Sequence, residues 1–133
     1  MGNRLRGDDG VGPCLIDRIK GQSRLSCLDA GAAPENCVDK ILKEEPDTIL
    51  FVDAAHLGLP PGHCQILDED AILHSGCSTH DIPLSLLIKY IAGRSSAKIL
   101  LLAVQPQQTA LGSSLSPAVQ QTLDKLSAFF VDR

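Results

Sequence analysis

A chain of 133 residues, 44% apolar and 21% charged, is globular in composition and has room for one domain, 1–133. Three phenylalanines, one tyrosine and no tryptophan imply an aliphatic core and exclude an aromatic platform for stacking single-stranded nucleic acid. Twelve Lys and Arg against 16 Asp and Glu, a net charge of −4, oppose a nucleic-acid footprint of any kind.

No apolar run approaches the ~18 residues of a membrane span, so no membrane insertion is expected. The longest, from Lys98 to Val104, reads as a buried strand. The opening residues carry no apolar signal region. The five cysteines, at 14, 27, 37, 64 and 77, include no CxxC pair. Reduced thiols and a cytoplasmic location follow as the expectation.

In chain order, Val11 to Lys20 predicts a helix with Val11, Cys14, Leu15 and Ile19 on one face, stopped by Gly21. Leu25 to Asp29 predicts a short strand. Asn36 is the expected N-cap of a helix through Glu44, with Val38, Ile41 and Leu42 inward. Thr48 to Asp53 is almost wholly apolar, the pattern of a strand buried on both faces of a parallel sheet. Pro60-Pro61-Gly62 predicts a turn, and His63 to Leu67 a more exposed strand. Pro83 opens a helix to Ile91 with Leu84, Leu87, Ile88 and Ile91 on one stripe, and Gly93 follows as a stop. Ile99 to Val104 is a second buried strand. Ser116 is the expected N-cap of a last helix with Pro117 at its first position and Val119, Leu123, Leu126 and Phe130 inward. Alternating helices and apolar strands specify an α/β layered sandwich. The glycine-rich turn of such a domain normally follows a buried first strand. Here Gly2-Asn3 begins at once, so the expectation is an absent first strand of about 5–8 residues upstream, or a gap filled by oligomerisation or segment swapping.

The segment Gly2-Asn-Arg-Leu-Arg-Gly7-Asp8-Asp9-Gly10-Val-Gly12-Pro13 is the most unusual in the chain. Glycines at a helix start suggest a phosphate cradle. The segment matches neither GxGxxG nor GxxxxGK[ST], however, and two adjacent aspartates would repel phosphate. Asp8 and Asp9 read either as an acidic first turn complementing the helix dipole or as carboxylates presented at the carboxyl edge of the sheet, where α/β sites lie. Asp53 emerges at that edge after a buried strand, either as a turn-forming residue or as a second site carboxylate. His56, His63 and His74 read as exposed loop residues. His80, in Ser78-Thr79-His80-Asp81-Ile82-Pro83 just before a helix, is the candidate imidazole. Two carboxylates and one imidazole would make a metal site with open coordination positions.

The segments GNRLRGDDGVGP at 2–13, DAGAAPEN at 29–36, ILFVDAAHLG at 49–58, STHDIPL at 78–84 and VQP at 104–106 resemble the hydrogenase maturation endopeptidases, the hydrogenase 3 branch above all. The matches run in order over nearly the whole chain. The resemblance implies a three-layer α/β/α sandwich with a twisted, mostly parallel, five-stranded sheet. It implies an aspartyl-type endopeptidase that removes a C-terminal extension from the nickel-loaded precursor of a [NiFe]-hydrogenase large subunit. Asp9, Asp53 and His80 fall on the family's catalytic, nickel-contacting positions. The precursor is the implied partner, nickel supplied by it the implied metal, and no organic cofactor is implied.

Two carboxylates and a neutral imidazole suit Ni²⁺, with Cu²⁺ or Zn²⁺ as competitors. A site without thiolates holds metal weakly, which suits a protease whose metal arrives in its substrate. Water activated on nickel and an aspartate general base both remain open as hydrolytic routes. The rival class is a non-catalytic, nickel-dependent binding module or chaperone for the large subunit. An ordinary zinc hydrolase ranks last, because the chain carries no HExxH.

Overall fold

The computed structural model describes residues 1–75, 78–79 and 82–131. In chain order the elements are a 3-10 turn (Gly7–Gly10), α1 (Val11–Ile19), a second 3-10 turn (Pro34–Cys37), α2 (Val38–Lys43), β1 (Thr48–Ala54), β2 (Cys64–Asp68), α3 (Glu69–Ser75), β3 (Ser78–Thr79), β4 (Ile82–Pro83), α4 (Leu84–Ala92), β5 (Lys98–Val104) and α5 (Pro117–Val131). The two apolar runs form the parallel pair β1 and β5, with Asp53 opposite Ala103. β2 lies antiparallel on the far side of β5, giving the order β1-β5-β2.

Strand alternation divides the core into two layers. Ile49 and Phe51 of β1 and Ile99, Leu101 and Ala103 of β5 pack against α2, α3 and α4 through Val38, Ile72, Leu84, Leu87, Ile88 and Ile91. Val52, Leu102 and Val104 face the other way, against Val11, Leu15 and Ile19 of α1 and Val119 and Leu123 of α5. The result is the expected α/β/α sandwich around an open sheet, and Phe51 is the only aromatic residue in its buried core among the described residues. All four apolar residues of the α4 stripe are buried, each a contribution of about 1.5–3 kcal/mol when fully removed from water.

Four expectations are corrected. The described strands form two sheets, a three-stranded one of mixed direction and the antiparallel pair β3-β4, not one five-stranded, mostly parallel sheet. The connection 55–63 carries no crossover helix, which a parallel return would require. Leu25 to Asp29 is not a strand, and both its leucines are exposed. Beside β1 the Met1 amino group donates to the Val52 carbonyl at 2.9 Å, and the Gly2 amide donates to the Gly31 carbonyl, past the end of this segment, at 2.7 Å. A strand needs a continuous ladder partner, and the leucines' β-pattern has none to pair with. Asn36 lies inside the second 3-10 turn, which Pro34 starts early, and the unassisted N-cap of α2 is Cys37. Pro83 occupies the N-cap of α4 instead of its first helical position.

Candidate active site

The first 3-10 turn and the end of β1 meet at the carboxyl edge of the parallel pair, and the opening segment is shaped to let them meet. The Asn3 side-chain oxygen accepts the Leu5 amide at 2.9 Å and its backbone carbonyl accepts the Arg6 amide at 3.1 Å, while its own amide donates to Asp9 Oδ2 at 2.9 Å. Gly2 passes between the two acidic segments at φ +135°; a Cβ there would lie 1.9 Å from the Asp9 carbonyl oxygen and 3.5 Å from Asp53 Oδ1. Only glycine fits that position and that backbone conformation. At Gly12 a Cβ would stand 2.4 Å from the Met1 carbonyl and 2.5 Å from the Val52 carbonyl, so α1 packs with its backbone against β1. Gly2 and Gly12 therefore serve close approach of backbone segments, Gly2 that of the two acidic ones, and not a phosphate cradle.

Asp53 is buried, 9% exposed, and its Oδ1 has no hydrogen-bond partner among the described residues. Burial pushes its pKa up to about 7. The charge of Asp9 pushes the same way, against the pull of the chain's amino group and the Ala54 amide. The Met1 amino group has its pKa lowered by burial, opposed by Asp53, Asp29 and Asp9. Buried polar atoms in native folds are normally paired, so an orphaned carboxylate oxygen beside a second carboxylate marks a place built for something else. Its chemistry fits a cation: two hard oxygen donors, one unsatisfied, in surroundings that raise the cost of leaving it charged and alone.

Asp8 is the opposite case. It is fully buried and accepts four hydrogen bonds: Oδ2 from the Gln107 amide at 2.8 Å, the Gln108 amide at 3.0 Å and the Ser116 hydroxyl at 2.8 Å, and Oδ1 from the Ser116 amide at 2.7 Å. Asp8 keeps its place in the acidic first turn ahead of α1, and its carboxylate is bound at the start of α5, where Ser116 donates both its amide and its hydroxyl.

Of the sequence-derived trio, Asp9 and Asp53 come together, and His80 lies outside the described residues. His56, His63 and His74 are exposed, as expected. Sequence reasoning missed Gln105, buried just past β5. Its side-chain oxygen accepts the Leu57 amide at 2.6 Å and the Leu59 amide at 3.5 Å, and its Nε2 donates to the Pro106 carbonyl at 3.1 Å. The signal was a polar side chain directly after an apolar strand, in the VQP triplet.

Fold and site together define an α/β protein with a carboxylate pair, one member unsatisfied, at the carboxyl edge of its sheet. A family model described as hydrogenase maturation protease matches residues 14–132. The hydrogenase 3 maturation protease of Escherichia coli (strain K12) is 35% identical over 109 residues, covering 80% of this chain and 69% of that protein. The crystal structure of a [NiFe] hydrogenase maturation protease HycI from Thermococcus kodakarensis superposes with a TM-score of 0.88 at 32% identity, covering 98% of this chain and 86% of that one. The solution structure of the endopeptidase HycI from Escherichia coli gives 0.86 at 28% identity, over 98% and 85%. The chain belongs to the hydrogenase maturation protease family.

Proposed function

We propose that this chain is the endopeptidase that removes the C-terminal extension from the nickel-loaded precursor of a [NiFe]-hydrogenase large subunit, in the cytoplasm. The observation that carries the proposal is the buried Oδ1 of Asp53, unpartnered among the described residues, next to Asp9. Ionised, Asp53 is poorly compensated; a cation brought by the substrate relieves it, and a nickel-free precursor offers nothing in exchange. Loaded precursor therefore binds with displacement of the Asp53 proton, and that difference is the basis of discrimination.

Asp9, Asp53 and His80 would hold the substrate's nickel, which supplies Lewis acidity and a fixed point for the cleavage segment. One carboxylate of the pair takes a proton from the attacking water and returns it to the leaving amine. Gly2 keeps the two acids close, and the Asn3 amide orients Asp9 Oδ2.

Incubation of nickel-loaded precursor with this protein, read by mass spectrometry, tests the proposal. Release of a short C-terminal peptide supports it. A stable complex with the precursor left intact would instead make the protein a nickel-dependent binding module.

A further inference from the structure

The catalytic reading uses Asp9 and Asp53 but leaves unexplained why the residue beside Asp9 is a fully buried carboxylate. All of its side-chain donors come from one segment, 107–116. That segment also grips the backbone around Asp8: the Asp8 amide donates to the Gln108 carbonyl at 2.9 Å, the Gly7 amide to the Ser113 carbonyl at 3.1 Å, and the Gly112 amide to the Leu5 carbonyl at 2.7 Å. The start of the same connection holds the other acidic segment. Gln105 grips the amides of Leu57 and Leu59, just past Asp53. Asp53 itself sits opposite Ala103 in the β1–β5 register.

We propose that Asp8 is a positioning residue for Asp9, and that β5 with its trailing segment 105–116 is the common ruler that sets the Asp9–Asp53 separation. The proposal rests on the site reading given above. Asp8 and Asp9 are consecutive in a four-residue turn, so fixing one carboxylate by four hydrogen bonds fixes the direction in which its neighbour leaves the turn. Both oxygens of Asp8 are engaged by the 107–116 segment, so on this proposal it acts through Asp9. Misplacing a reacting group by about 1 Å costs on the order of 100-fold in rate, whereas losing a remote stabilising contact costs folded population and not turnover.

The experiment compares Asp8→Asn and Ser116→Ala with Leu123→Ala, a core truncation in α5 outside the machinery, at a temperature where all are folded. Peptide release from nickel-loaded precursor gives kcat and KM, and amide exchange of Asn3, whose N–H donates to Asp9 Oδ2, reports Asp9 placement in the protein alone. Asp8→Asn should lower kcat about 10–100-fold with KM nearly unchanged, Ser116→Ala should lower it less, and Leu123→Ala should keep it. Asn3 exchange should quicken in the first two variants beyond its rate in Leu123→Ala. A wild-type kcat in folded Asp8→Asn overturns the inference. If Asp8→Asn does not fold, Ser116→Ala decides, and unchanged kcat with unchanged Asn3 exchange overturns it. If the wild type releases no peptide, the functional reading fails by itself. Asn3 exchange then still decides the inference, and its equality across the variants overturns it.

Discussion

Asp8 and Asp53 are both buried carboxylates at the same end of the sheet, and they are built in opposite ways. Asp8 accepts four hydrogen bonds from three residues, so its charge is shared among donors fixed by the β5–α5 connection. Asp53 keeps one oxygen without a donor among the described residues, faces the charge of Asp9, and has its pKa raised to about 7. Burial alone therefore does not separate a structural acid from a functional one. On the proposed function, hydrogen-bond satisfaction does: a satisfied carboxylate stabilises the fold, and an unsatisfied one stores a cost that a ligand can remove.

The sharpest way to break that contrast is to neutralise each acid in turn. Asp53→Asn, Asp9→Asn and His80→Ala should each lower peptide release by about 100-fold or more, the scale of removing an acid–base or metal-holding group. Asp53→Asn should do so without loss of thermal midpoint at pH 8. Near-wild-type release by Asp53→Asn, measured by mass spectrometry, would contradict its place in the site.

Asp8→Asn should show the reverse balance in stability. Its new amide group faces donors that have lost an acceptor, a cost of about 1–3 kcal/mol for each buried group left unpaired. Urea denaturation checks this, and a variant as stable as the wild type would remove Asp8 from the account.

A smaller effect comes from pH. The folded-state pKa of Asp53, about 7, lies above the ordinary carboxyl value of about 3.9. The protonated form is thus favoured by folding. Its contribution to stability is present in full below about pH 3.9 and is lost as pH rises through about 7. Wild-type stability should fall over that window relative to Asp53→Asn, so the variant's advantage grows from pH 5 to pH 8. Parallel denaturation curves at the two pH values would count against the buried, uncompensated state of Asp53.

The smallest effect belongs to an acid that is neither buried nor orphaned. Asp124 pairs with Arg18 at 2.5 Å on the surface, and Asp124→Asn should leave the urea midpoint within error of the wild type.

How much of this was legible in the sequence follows the range of each interaction. β1, β5 and α4 were readable because their signal is local: an apolar run or a stripe at helical spacing. The approach of Asp9 to Asp53 was readable because both fall where the carboxyl edge of the sheet is expected, one after a buried strand and one in the glycine-rich turn. The partners of Asp8 were not readable, since they lie 99, 100 and 108 residues away and no local pattern announces them. Leu25 to Asp29 has a strand's composition without a strand's partner, and pairing is not a property of the segment alone. Gln105 stands one residue past the predicted strand Ile99 to Val104, and its role depends on amides in a loop far back in the chain.

The central claim, that the unsatisfied Asp53 waits for a cation carried by the substrate, is tested most directly by cleavage of matched precursors. One is loaded with nickel and the other prepared with nickel withheld, each incubated with wild-type protein and the second in the presence of chelator. The account predicts release of the C-terminal peptide from the loaded precursor only. Efficient cleavage of the nickel-free precursor in chelator would contradict it.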